Sequence, residues 1–410
     1  MYDFMVYGYY ATFIARVFFP TGSEFSSLML SLATFGAGYL MRPIGALVLG
    51  AYADRHGRRK GLILTLALMS FGTLSIACLP GYAVLGLLAP LLILIGRLVQ
   101  GFSAGMELGG VSVYLAEIAT PGHRGFYTAW QSGSQQVAVT FAALLGVFVN
   151  LRLSQQQVAA WGWRIPLIAG CAIIPFLFVI RRSLAETEEF LARKRHPTLA
   201  QVITSLGTNW KLVVSGMMIS TMTTVTFYMI TAYTPTFGQN ALHLTPLDSF
   251  TVTMCVGITN LFWLPVMGSV SDRLGRRPLL IAFSILSLTT AYPALLWLVS
   301  SPSFARLLVV ELWLSFLFGG YNGAAMPFLA EIMPAEIRTA GFSIAFSLAT
   351  AVFGGFTPAI CTWLIHETGN RAIPGMWESL AAVISLTAVW LTWRSRTGFA
   401  ESSRSRALPA

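Results

Sequence analysis

Gly50-Ala51-Tyr52-Ala53-Asp54-Arg55-His56-Gly57-Arg58-Arg59 returns later in the chain as Gly268-Ser269-Val270-Ser271-Asp272-Arg273-Leu274-Gly275-Arg276-Arg277, at an offset of 218 residues. A second pair of segments keeps step with the first. Leu115-Ala116-Glu117-Ile118 with Arg124 recurs as Leu329-Ala330-Glu331-Ile332 with Arg338 at an offset of 214, and Gly105 and Gly109 map at that same offset onto Gly319 and Gly323. Self-similarity over so long a period means that one structural plan is used twice. Acid, base and glycine recur in the same order, so the two halves share one orientation.

What surrounds the repeats is apolar. Hydrophobic residues make up 55% of the 410 and charged residues 10%, against about 25% charged in average soluble proteins. Such a chain cannot cover a soluble globule with polar surface. Its apolar runs are long enough to cross a hydrocarbon layer of about 30 Å as helices, and they fall near 3–19, 28–52, 61–79, 87–117, 125–149 and 163–181, then 211–238, 250–270, 279–299, 306–332, 339–365 and 374–394. The expected fold is an all-α membrane protein of twelve transmembrane helices: a six-helix half over 1–181, a polar linker over 182–209, a second half over 210–394 and a tail over 395–410. The first run starts immediately at Tyr2-Asp3-Phe4 and reads as shortened at its N-terminus.

The net charge of +10 would suggest nucleic acid in a soluble protein, but here the basic residues sit in clusters between spans. With both termini placed in the cytoplasm, 19 of the 26 Lys and Arg residues lie on that side, the asymmetry that sets orientation in a membrane. A bacterial inner membrane, multi-pass, is the expected location, and no nucleic-acid partner is expected. Cys78, Cys171, Cys255 and Cys361 are scattered without metal-ligand spacing, so neither a metal nor a cofactor is expected. No nucleophile and base pair appears within the spans, which argues against an enzyme.

The doubled signature G-x-x-x-D-R-x-G-R-R, placed between the second and third and again between the eighth and ninth spans, resembles that of the major facilitator superfamily. Within it, Tyr2-Asp3-Phe4 with Tyr7-Gly8, Met41-Arg42-Pro43-Ile44-Gly45, the run from Gly96 to Gly105, and Trp161-Gly162-Trp163-Arg164-Ile165-Pro166 look like the metabolite:proton symporter family. Stretches such as 109–121, 125–137, 330–336 and 340–358 are most similar to the bacterial citrate-proton symporters, with tricarballylate carriers close by. The resemblance implies import of a small organic acid anion, citrate or a related tricarboxylate, together with protons, through a midplane site between two rocking halves, by a carrier that works as a monomer in the lipid bilayer. Another organic acid carrier of that family, such as one for a dicarboxylate, and a transporter-shaped sensor without net flux are the alternatives; the short linker and tail leave no room for a sensor's output domain.

The signature residues read as a cytoplasmic gate. Gly50 and Gly268 permit close helix approach, Asp54 and Asp272 can meet a helix N-terminus, and Arg58, Arg124, Arg276 and Arg338 can pair with Glu117 and Glu331. Charges inside spans are dearer, at about 2.5–3.5 kcal/mol even on the lower scales. Asp3, Arg42, Arg97 and Glu107 are the four that stand out. Depth counting along straight helices suggests the pairs Asp3 with Arg97 and Arg42 with Glu107. The arginines are expected to receive the anion, and Asp3 and Glu107 to carry protons, since a carboxylate whose cation is drawn away by substrate binds a proton more readily. Gln131 and Gln135 on the fifth span, with Tyr321 and Asn322 on the tenth, are the expected hydrogen-bonding contacts. With few cations in its spans, the C-terminal half is expected to offer hydrogen bonds rather than charge.

Overall fold

Ten of the apolar runs form helices long and apolar enough to cross a membrane among the described residues, and an eleventh forms if the bent pair Gln155–Gly162 and Arg164–Val179 is one span. This computed structural model describes residues 1–183, 199–334 and 337–405, with backbone only at 54, 55, 58, 180, 183 and 393–405. The twelfth span is the first in sequence. It consists of Tyr2–Tyr9 and Ala11–Phe18, broken at Tyr10. Phe4, Met5, Val6, Tyr7, Tyr10 and Ile14 in it have no exposed surface, so a helix too short to count by hydropathy is instead enclosed by its neighbours.

The second span is also in two pieces, Glu24–Leu40 and Arg42–His56, with Pro43 in the first turn of the second piece, where a missing N–H costs nothing. The third is Arg58–Cys78, the fourth Leu88–Ala104 with Glu107–Glu117, the fifth Arg124–Arg152 and the sixth Arg164–Ser183. In the second half the seventh runs Trp210–Ala241, the eighth Pro246–Leu274, the ninth Arg276–Ser300, the tenth Phe304–Ile332 and the eleventh Arg338–Thr368. The twelfth, Ile373–Ser405, continues past the expected end at 394.

One expectation changes in the linker. Residues 184–198 lie outside the described residues, but Leu199–Thr208 is a helix. Val202, Ser205 and Leu206, at the i, i+3, i+4 spacing of one helical face, turn inward, while Leu199 and Ile203 remain exposed. Polar composition between the halves obscured that stripe.

Small residues let the two halves meet. A Cβ on Gly268 would lie 2.5 Å from the carbonyl oxygen of Gly125, and one on Gly125 would lie 2.3 Å from that of Gly268, so the fifth and eighth helices cross backbone to backbone. Further along the same pair, Gly146 receives the ring of Phe250 and Gly257 sits against Thr140. Phe356 of the eleventh helix packs on Gly36 of the second, and Gly8 of the first meets Ala232 of the seventh. Without a water-driven hydrophobic effect between helices in lipid, such close contacts are what association rests on.

Candidate functional site

A cavity of about 160 Å³ opens beside Phe4, Met69, Glu107 and Gln131, with Arg42, Ser134 and Gln135 in its wall. It adjoins a smaller one, about 20 Å³, in which Arg42, Ser132 and Gln135 face Thr223, Thr224, Phe227 and Tyr228 of the other half. Arg42 follows Met41, a step of right-handed helical backbone within the continuous second span, and stands in the wall of both cavities. Arg42 is buried, its guanidinium stands over the rings of Tyr39 at 5.1 Å and Phe4 at 5.9 Å, and its Nε has no partner. No carboxylate pairs with it among the described residues. Gln131 and Gln135 are one turn apart on the fifth helix and share a face.

The two ion pairs expected from depth counting are replaced by other partners. Glu107 pairs at 2.8 Å with Arg181 of the sixth helix and accepts from Thr65 of the third at 3.4 Å, because its position around the fourth helix turns it toward those two helices. Asp3 accepts from Thr73 at 2.9 Å and from the Gln100 amide at 3.2 Å, with the Met1 amine 3.4 Å from its other oxygen. Arg97 reaches it only indirectly: Nη1 donates to Gln100 Oε1 at 2.8 Å, so Gln100 stands between cation and carboxylate. Arg97 has no exposed surface. It lies over the rings of Phe4, Tyr7 and Phe35 at 4.4–5.1 Å and donates to the Phe35 carbonyl, outside the wall of either cavity.

Tyr321 and Asn322 are also elsewhere. The Tyr321 hydroxyl donates to the Ile219 carbonyl at 2.8 Å, a contact between the tenth and seventh helices. Asn322 is fully buried with both amide atoms unpartnered and does not line either cavity. The sequence singled out both as polar groups within an apolar run but could not say that Tyr321 is taken up by the seventh helix.

Two buried carboxyls escaped the sequence reading. Glu311 on the tenth helix and Glu378 on the twelfth are almost fully enclosed. Both fall within two turns of a span's apparent end, where an acid reads as interfacial. One signal was available: Glu311 lies 214 residues after Arg97, the register that aligns Gly105 with Gly319, so the repeat carries a cation in one half and a carboxyl in the other.

At the bundle end that carries the two signature loops, Asp272 accepts from the backbone N–H of Gly125 at 2.7 Å and of Phe126 at 2.9 Å, across the boundary between halves. These are first-turn donors of the fifth helix, where a carboxylate is favoured. Arg276 braces that carboxylate at 2.7 Å and reaches Glu331 at 3.4 Å. The other half is different. A Cβ on Gly50 would meet open space, and Glu117 is exposed. Arg124 is exposed as well and Arg338 half-buried, neither with an ion pair among the described residues. The side chains of Asp54 and Arg58 lie outside the described residues. At the far end a third cavity of about 410 Å³, lined by Thr12, Arg16, Glu24, Tyr233, Asn240 and His366, opens between the halves, with Phe25 stacked on His366 at 3.7 Å.

Residues 1–396 match the family model described as "Sugar (and other) transporter". The chain is 59% identical to the citrate-proton symporter of Klebsiella pneumoniae over 96% of this chain and 88% of that protein. It is 56% identical to the citrate-proton symporter of Salmonella typhi over 94% and 89%, and 32% identical to the alpha-ketoglutarate permease of Escherichia coli over 97% and 91%. Among solved structures, a partially occluded inward open conformation of the xylose transporter XylE from E. coli superposes with a TM-score of 0.73 at 17% identity, covering 96% of this chain and 95% of that one, a likeness of fold. Repeat, bundle and family match agree: the chain belongs to the sugar (and other) transporter family of the major facilitator superfamily, and it is a membrane transporter, not an enzyme.

Proposed function

We propose that the chain imports citrate, or a closely related tricarboxylate, in symport with protons, by rocking its two halves about the cavity at Arg42. One observation carries the reading: a buried guanidinium without a carboxylate partner lines that cavity beside Gln131 and Gln135. A lone buried cation is costly, and an anion is what relieves it. The identity to two citrate-proton symporters supplies the substrate class. In this reading the signature loops and both termini face the cytoplasm of a bacterial inner membrane, the far-end cavity is the entrance, and the carrier acts as a monomer.

Protons are required on energetic grounds. Three negative charges moved inward against an interior-negative potential cost about 7 kcal/mol per 100 mV, at about 2.3 per charge. Three co-transported protons cancel that charge and a fourth lets the potential assist. Uptake of labelled citrate by proteoliposomes tests this: an imposed inside-alkaline pH gradient drives accumulation, whereas acceleration by a sodium gradient alone would overturn it.

Asp3 is the proton site of the N-terminal half. Protonation removes the charge that Gln100 relays to Arg97 and so links proton uptake to the aromatic enclosure around that guanidinium. Asp3→Asn keeps the acceptor oxygen while fixing the group neutral. The variant is expected to lose at least about tenfold in pH-driven accumulation, each 1.4 kcal/mol of coupling being a factor of ten, while citrate exchange between equal pools persists. Undiminished pH-driven uptake would remove Asp3 from the proton path.

A further inference from the structure

Glu311 and Glu378 enter the C-terminal half about 10 Å and 8 Å from the far ends of their helices, counting 1.5 Å per residue from Phe304 and Ile373. Each docks on a threonine of the seventh helix. Glu378 Oε1 is 2.6 Å from the Thr226 hydroxyl and 3.1 Å from that of Ser287; Glu311 Oε1 is 2.9 Å from the Thr234 hydroxyl. In both, Oε2 is buried without a partner.

The hydrogens can be counted. A threonine hydroxyl has one to give. Thr226 Oγ1 lies 2.7 Å from the Met222 carbonyl and Thr234 Oγ1 lies 2.9 Å from the Ile230 carbonyl, the back-bond that a helical threonine makes to the residue four before it. One hydrogen cannot serve the carbonyl and the carboxyl together, so each hydroxyl offers its acid at most a shared neutral donor, and a carboxyl buried on such terms is favoured in its protonated form. No basic side chain supplies an alternative among the described residues. The nearest cation on the tenth helix, Arg306, donates to the Trp297 carbonyl and to Ser300, and His366 is stacked on Phe25. The titratable groups facing the pair are each other, with Cys361 of the eleventh helix facing Glu378. Tyr233 of the seventh helix is occupied by Thr362, and Tyr292 of the ninth by Asn370.

We infer that Glu311 and Glu378 are proton-binding sites of the C-terminal half, each holding one proton in this conformation and releasing it to water when the seventh helix moves. The two threonines flank the π-helical turn Met229–Tyr233, a distortion often found where helices do functional work. The same segment touches the first helix through Ala232 and Gly8 and walls the far-end cavity through Tyr233. A shift of the whole seventh helix parts both acids from their hydroxyls and admits water. Each step is the transfer of one proton between water and a carboxylate oxygen. The inference rests on the symport reading for its role in coupling, but the bound protons do not depend on it.

The purified full chain tests it twice. In proteoliposomes, protons entering per citrate are counted with an internal pH dye; Glu311→Gln and Glu378→Gln are each expected to lower the ratio by about one proton. In the infrared, the wild-type chain at neutral pH is expected to show protonated-carboxyl carbonyl bands, one shifted by Thr226→Val and one by Thr234→Val, substitutions that keep both acids. An unchanged ratio in both Gln variants overturns the inference, as does a spectrum in which neither Val variant shifts such a band. Should the wild-type chain move no citrate, the transport reading fails and the infrared result still decides this one.

Discussion

Arg42→Gln is expected to weaken citrate binding by about 10- to 100-fold while leaving the fold intact. A hydrogen bond to a charged group contributes about 1.5–3 kcal/mol, and 1.4 kcal/mol is a factor of ten in affinity. In the empty protein the guanidinium has the ring faces of Tyr39 and Phe4 but no carboxylate and no carbonyl bond of the kind Arg97 makes, and its Nε is unpartnered. The glutamine variant should therefore melt at the same temperature or higher, because it removes a buried unpaired charge. Arg97→Gln is the informative contrast. That guanidinium holds Gln100 and the Phe35 carbonyl and is enclosed by three rings, so its loss should lower the melting temperature. Calorimetric titration with citrate and thermal denaturation of both purified variants check the pair of outcomes; unaltered citrate affinity in Arg42→Gln would refute the site.

Gly268→Val should slow net uptake by on the order of 100-fold. The added carbons meet the Gly125 carbonyl, its oxygen 2.5 Å and its carbon 2.8 Å from the Cβ position, and backbone cannot move aside as a flexible side chain does. Overpacking of this kind typically costs about 1–3 kcal/mol, and 3 kcal/mol shifts a two-state equilibrium by roughly 100-fold. The cost falls only on the arrangement in which the fifth and eighth helices touch at the signature end. Asp272 would lose its two backbone donors at Gly125 and Phe126 in the same step. The variant should accumulate with that end open, so a thiol introduced near it becomes more reactive toward a membrane-impermeant reagent while one in the far-end cavity becomes less so. Normal uptake with unaltered thiol reactivity would show that the crossing is not part of the cycle.

The repeat was legible because it is a matter of identity at fixed offsets, and the spans because hydropathy needs no geometry. Direction around the helix defeated the charge pairing. Depth counted along straight cylinders put Arg42 level with Glu107, but depth fixes height along the axis and not azimuth around it. Arg42 faces the cavity wall with Gln131 and Gln135, whereas Glu107 reaches Arg181. Arg181, the last residue of the sixth apolar run, counted among the cytoplasmic cations, since nothing in composition separates a charge just inside a helix end from one just outside. Arg42, Gln131 and Gln135 each stood out as a charge or amide within an apolar run, but only the structure sets them in one cavity wall. Gln100, the residue between Asp3 and Arg97, did not: an amide is unremarked in a sequence until its two neighbours are known.

Met229–Tyr233, the first of two π-helical turns in the seventh helix, is a matter of residue number as well as shape. It accommodates one residue beyond the regular count, and one residue in an α-helix corresponds to a rotation of about 100°. Deleting a single residue between Met229 and Tyr233 would swing Thr234, Thr236 and Asn240 around the axis relative to Thr226, parting Glu311 from its hydroxyl while Glu378 kept its own. Point substitutions in that turn leave the phase untouched. This stretch should thus accept exchanges of side chain yet resist any change of length, a constraint on its natural history that no inventory of contacts expresses.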